Sequence, residues 1–196
     1  MNKKHYFDEA SGKWHHTWHQ SDLKKLDQCP EQARLIWSGS VKDIQGDAAA
    51  LGTACHYAVE QTLNLVGADP SDYAYGVLME AFDHGLSDIT PTIGGWNSYG
   101  TVAKMADTGM KKLDAWYAHV YPNLNPIPGR VEEKFDAVFW EDDERVVRLA
   151  GQIDLIDGTA GVVDWKFPKR DYTKDKWQYE RWDVQSTVYC LSLIHI

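Results

Sequence analysis

Apolar positions recur every three or four residues through the first half of the chain and every second residue later on, which predicts a helical half followed by a β-rich half. Ser21 is placed as the N-cap of a helix over 22–37, with Leu23, Leu26, Leu35 and Ile36 on its apolar face and Pro30 forcing a break or restart. A second, Ala-rich helix is expected over 47–65 and a third over 71–85. Gly, Pro, Thr and Ser between Leu86 and Tyr99 mark a loop. The clearest helix follows, where Val102, Met105, Ala106, Met110, Leu113, Trp116, Tyr117 and Val120 keep helical spacing.

Pro122, Pro126 and Pro128 end the helical half. Strands are expected over 131–140, 145–156 and 161–167, with turns at 141–144 and at 157–160, the latter containing Asp-Gly. A last helix should begin near Glu180. No repeat or linker divides the chain, so the expectation is one domain over 1–196: an N-terminal arm (1–20), a helical part (21–120), and a sheet with a helix (128–190). The fold class is α/β (α+β).

Strand alternation puts Val162, Asp164 and Lys166 on one face of the last strand, and Val163, Trp165 and Phe167 on the other. Gln152, Asp154 and Ile156 share a face of the strand before it. A five-residue hairpin loop, Asp157 to Gly161, sets Ile156 opposite Val162 and Asp154 opposite Asp164. Like charges facing each other on a sheet are destabilising, and a cation resolves the conflict. Oxygen ligation by carboxylates suits Mg²⁺ or Mn²⁺ better than zinc. Lys166, two residues on, is placed to orient a water, help deprotonate it, or stabilise charge on a phosphate.

Asp-x-Lys alone says little, since it is expected about once by chance in a chain rich in both residues. A second copy, Asp22 and Lys24, falls on an amphipathic helix and reads as a solvated face. The copy at Asp164 ends an apolar strand and stands at hairpin spacing from Gly-x-x-Asp. His15, His16 and His19 lack carboxylate or cysteine partners and are not read as a metal site.

Several motifs fall in a family's order. The run from Ser21 to Pro30, Leu51-Gly-Thr-Ala-Cys-His56, Glu132-Glu-Lys-Phe135, Gly151-Gln-Ile-Asp154, Val162-Val-Asp164-Trp-Lys166 and Gln185-Ser-Thr-Val-Tyr189 resemble those of the RecB-like and CRISPR-associated PD-(D/E)XK exonucleases. The resemblance implies a restriction-endonuclease-like core, a mixed sheet with an antiparallel hairpin flanked by helices. It further implies a metal held by His56, Asp154 and Asp164, and catalytic roles for Asp154, Asp164, Lys166, Glu132, Gln185 and Tyr189. Glu132 is favoured by the Glu-x-x-Phe match, but the hairpin decides the matter: a two-residue turn at Asp142 and Asp143 would bring Glu133 to the face of Asp154, a three-residue turn Glu132.

Composition alters this picture in three places. The net charge of −9 argues against a protein that coats nucleic acid through bulk electrostatics, yet carboxylates gathered for a cation account for part of it. Locally, the segment 166–182 interleaves basic residues, among them Lys169, Arg170, Lys174, Lys176 and Arg181, with aromatic ones. It reads either as a wall contacting a DNA strand or as a partly buried loop. Three scattered cysteines exclude a disulfide framework; Cys29 matches the first ligand of an iron–sulfur cluster found in some relatives, which would need further cysteines beyond Tyr189. With neither a membrane span nor a signal peptide, the protein is expected in the cytoplasm.

The expected activity is hydrolysis of DNA phosphodiesters, as an exonuclease of phage or bacterial recombination and repair. The alternative is a nucleic-acid-binding or structural module of the same fold that does not cut. An enzyme acting on a small molecule is disfavoured, because no Gly-x-Gly-x-x-Gly loop is present. The ending Leu191-Ser-Leu-Ile-His-Ile196 resembles translated adapter read-through, so the gene is expected to be truncated.

Overall fold

The computed structural model describes residues 5–66 and 71–167. Among them it has five α-helices and a five-stranded mixed sheet. The described residues divide into two compact units, one of 5–42 and 134–152, the other of 43–66, 71–133 and 153–167. The last helix expected from the sequence lies outside the described residues.

The first unit opens with a hairpin that the sequence pattern does not show, β1 (His5–Asp8) and β2 (Lys13–His19). The Asp8 carboxylate folds its turn by accepting from the Ala10 and Ser11 N–H groups, and Gly12 takes a left-handed φ of 69°. Next come α1 (Gln20–Gln28) and α2 (Pro30–Trp37). The N-cap of α1 is His19 rather than Ser21, because Asp22 accepts from the His19 N–H at 3.1 Å. Between the helices Cys29 caps α2 through its sulfur, and Pro30 occupies the first turn, where its missing N–H costs nothing.

The second unit is built on α3 (Asp47–Val66), α4 (Asp72–Ile89) and α5 (Val102–His119). Ser71 and Thr101 cap α4 and α5 through their hydroxyls. The third helix runs past Gly85 to Ile89, so the loop expected from Leu86 begins later. Gly85 is a contact point and not a stop: a Cβ there would lie 2.9 Å from the Tyr57 ring, and Leu86 is buried. At the start of α3 the buried Asp47 carboxylate accepts from the Ser98 and Tyr99 N–H groups at 2.9 and 2.6 Å, tying the following loop down.

Leu51, Ala54, Ala58, Leu78, Phe82, Met105, Leu113 and Trp116 form the core of this unit with Leu155 and Trp165. Gly109 of α5 faces side chains of both α3 and α4 closely, since a Cβ there would lie 2.2 Å from Phe82 Cζ and 2.8 Å from Leu51 Cδ1. A packed ring cannot yield that much. Gly109→Ala should therefore lower stability by about 2 kcal/mol, and Tm by roughly 5 °C, despite the better helix propensity of Ala. Thermal unfolding followed by circular dichroism checks this; an unchanged or raised Tm would show that the crossing has slack.

Two long strands, β3 (Pro126–Glu141) and β4 (Arg145–Asp157), belong partly to each unit, and β5 (Gly161–Val163) completes the sheet. The strand order is β1-β2-β4-β3, with β5 also on β4. Strand β2 lies parallel to β4, with Trp14 beside Arg145 through His19 beside Ala150. Between β4 and β5 the pairs are Leu155↔Val163, Ile156↔Val162 and Asp157↔Gly161, the register expected from the sequence. Asp157 shapes that turn by accepting from Thr159 and Ala160 N–H, both at 2.8 Å.

Candidate metal and active site

A histidine on a helix and two carboxylates on strands converge in the second unit. His56 stands on α3 beside the buried stripe of Ala50, Leu51, Ala54, Cys55, Ala58 and Val59, with its own side chain 29% exposed. Gly52 of the same motif meets nothing within 4 Å of a built Cβ, so no close approach explains that glycine. Burial pushes the neighbouring Cys55 thiol up to about 12, which leaves it protonated and chemically quiet.

Glu132 reaches the site through an unusual backbone. Its φ is 52°, the left-handed region, which a non-glycine residue in a strand adopts at a cost on the order of 1–3 kcal/mol. This breaks the alternation of β3: the Glu132 Oε1 lies 3.6 Å from His56 Nδ1, while Glu133 pairs with Arg130. The turn to β4 has three residues, Asp142 to Glu144, the case that the sequence associates with Glu132.

Asp154 is buried near the end of β4, its Oδ2 3.5 Å from the same His56 nitrogen. The Trp165 N–H donates to that oxygen at 2.6 Å. For this reason β5 ends at Val163 and does not run on to Phe167 as expected: the ladder partner of Trp165 is replaced by a side chain. Trp165 is buried in the core, edge-on to Trp116 at 5.7 Å, and Phe167 stands edge-on to His56 at 5.5 Å. Strand alternation had assigned both aromatics to the face opposite Asp164 and Lys166; their service to Asp154 and His56 is not visible in the sequence.

Ligand atoms of His56, Glu132 and Asp154 all lie within 4.8 Å of one another, the one such grouping of at least three among the described residues. Asp164 is outside it. The Asp164 carboxylate is held by Lys166 Nζ at 2.5 Å, although its charge still reaches Asp154. Thus His56 and Asp154 of the expected metal set come together, Glu132 joins them, and Asp164 and Lys166 form a pair beside them. Gln185, Tyr189, Lys169, Arg170, Lys174, Lys176 and Arg181 lie outside the described residues.

Electrostatics favour a cation among these groups. Burial, reinforced by the charges of Asp164 and Glu132, raises Asp154 to about 6 in spite of His56 and the Trp165 N–H. Burial works to lower His56, but Glu132 and Asp154 outweigh it and hold the imidazole above its usual value. Two carboxylates and one imidazole, one carboxylate buried and reluctant to ionise, are a fitting donor set for a divalent ion. Ligation needs both Asp154 and His56 deprotonated, so protons should compete: Mn²⁺ affinity should fall as pH drops, first as the imidazole with its raised value takes a proton and then through the Asp154 window around 6. Calorimetric titration across that window checks it. Affinity unchanged down to about pH 5.5 would sink the trio as the ligand set.

A motif glycine is explained in the first unit. A Cβ on Gly151 would lie 2.7 Å from the Phe135 ring, so the phenylalanine of Glu-x-x-Phe rests on the glycine of Gly-x-x-Asp. Cys29, the residue matched to a cluster ligand, serves as a helix cap.

The family model of the PD-(D/E)XK nuclease superfamily matches residues 17–195. No curated protein and no solved structure matches the chain. The mixed α/β architecture is consistent with the restriction-endonuclease-like fold of that superfamily.

Proposed function

Since the chain belongs to the PD-(D/E)XK nuclease superfamily, we propose that it is a Mg²⁺- or Mn²⁺-dependent deoxyribonuclease that degrades DNA from an end. The observation that carries this is the convergence of His56, Glu132 and Asp154, with Lys166 beside them. In this reading His56, Glu132 and Asp154 hold the cation, and Asp164 is a further oxygen donor once it leaves Lys166. The bound ion acts as a Lewis acid on the phosphoryl group and lowers the pKa of water.

The protein's own groups supply position and charge. The Trp165 N–H fixes the Asp154 carboxylate, and the Phe167 ring limits the tilt of His56. Lys166, exposed and cationic, meets the charge that develops on the phosphate. Gln185 and Tyr189 are assigned to the site on the motif resemblance, and Lys169, Arg170, Lys174, Lys176 and Arg181 to the DNA strand on the mixed basic and aromatic composition of their segment. The motif order supports the RecB-like, CRISPR-associated subgroup, and with it a role in phage or bacterial recombination or repair. No helix among the described residues is long and apolar enough to cross a membrane, and the cytoplasm, where DNA is reached directly, is the proposed location.

The test is cleavage of linear single- and double-stranded DNA and of closed circles, with Mg²⁺, Mn²⁺ or chelator. Metal-dependent loss of linear DNA with circles intact is expected. Cutting of circles would overturn the exonuclease assignment. DNA binding without cleavage in any metal would favour a silent module of the same fold.

A further inference from the structure

One face of the first unit's sheet carries a row of exposed side chains that the site does not use. In the register Phe7 lies opposite Trp14, and Trp14 lies beside Arg145 of β4. The Arg145 guanidinium sits 5.3 Å from the centre of the Trp140 ring on β3. Phe7, Trp14, Arg145 and Trp140 therefore cross the sheet in its strand order, a row about 14 Å long at ordinary strand spacing. Each is exposed: Phe7 47%, Trp14 50%, Trp140 44%, and the Arg145 side chain 52%. Phe7 and Trp14 meet edge to face at 5.4 Å, so part of each ring surface stays open.

Charge is segregated across this sheet. Lys13 and His15 point to the face opposite Trp14 by strand alternation, as does Arg148, whose neighbour in the register is Thr17. Their carboxylate partners are Glu141 at 2.6 Å, Asp8 at 3.9 Å and Asp136 at 2.7 Å. The row itself holds no carboxylate, and among the described residues Arg145 pairs with Asp142, at 3.2 Å in the turn. His5 and His16, also on this face, hydrogen-bond each other through their Nδ1 atoms at 3.1 Å.

We propose that the row Phe7–Trp14–Arg145–Trp140 is a platform on which single-stranded nucleic acid stacks. Aromatic rings offer every base a π surface without reading sequence, and a guanidinium among them attracts the phosphate backbone and stacks as well. A protein partner would more often meet an apolar patch whose charges stand at its rim, whereas here a cation stands between the rings of the row. The choice of nucleic acid as occupant rests on the nuclease reading; the strip and its charge do not.

Fluorescence anisotropy of a labelled oligothymidine, with the full chain in chelator so that nothing is cut, tests the platform. Trp14→Ala and Trp140→Ala should each weaken binding roughly tenfold, and Trp14→Phe should keep most of it. Arg145→Gln should reduce the salt dependence by about one unit of slope. Tyr73→Ala, at a still more exposed aromatic on α4, should change nothing. Row variants that remain folded and bind like the wild type would overturn the proposal. So would a wild type that does not bind the oligomer but self-associates in a way lost in Trp14→Ala. Row-dependent binding without metal-dependent cleavage would defeat the nuclease reading alone, and cleavage with row-independent binding would defeat the platform alone.

Discussion

Asp154→Asn should abolish metal-dependent cleavage, lowering the rate about a thousandfold or more, which corresponds to about 4 kcal/mol of barrier. The same variant should be more stable than the wild type when no metal is present. Asp154 is buried and its folded-state value, about 6, lies above the usual 3.8, so the fold disfavours its charged form. The penalty is absent below about pH 4, builds between 4 and 6, and is complete above 6. At neutral pH the amide removes a penalty on the order of 3 kcal/mol, and Tm in chelator should rise by roughly 8 °C. With Mg²⁺ or Mn²⁺ at about a hundred times its dissociation constant the wild type should gain about 2.7 kcal/mol, and the variant far less. Thermal melts at about pH 7.5 and pH 4, with and without metal, separate these effects. A variant destabilised at neutral pH in chelator would show that Asp154 is structural.

How much of this was legible in the sequence differs from element to element, for physical reasons. The Asp154 hairpin was readable because one turn fixes its register: Asp-Gly and a five-residue loop set Ile156 opposite Val162, as observed. Helix α5 was readable because its apolar stripe is continuous. The first hairpin was not, since Trp14 and Trp18 are the only apolar side chains from Lys13 to His19 and β2 finds its parallel partner more than a hundred residues away. No local signal encodes such a pairing.

The site shows the same division. The motifs named His56, Glu132 and Asp154, and the structure groups these three. The expectation that Asp154 and Asp164 face each other across the ladder stopped one pair short, because Trp165 donates its N–H to Asp154 and the strand ends. Nor does a non-glycine residue announce a left-handed φ, so the backbone turn that selects Glu132 over Glu133 was open to the sequence only through turn length. What sequence cannot weigh is competition: a lysine two residues away can claim the carboxylate that a cation was expected to hold.

That competition yields the second large effect. Lys166→Ala should lower cleavage about a hundredfold or more while leaving metal affinity intact or tightened. In the structure Lys166 ties up Asp164 at 2.5 Å and its charge lowers the proton affinity of His56. Removing the ammonium releases one carboxylate toward the cation and removes a repulsive charge from the site, both favourable to binding. It also removes the cation available to the phosphate, which is unfavourable to the reaction. Rate and affinity should therefore move in opposite directions, unlike Asp154→Asn, where both fall. Lys166→Arg keeps the charge but spreads it over a wider, planar group, so it should recover only part of the rate. Parallel measurement of cleavage and Mn²⁺ affinity checks this. Equal losses in both would make Lys166 part of the scaffold of the site, and an unchanged rate would remove it from the chemistry.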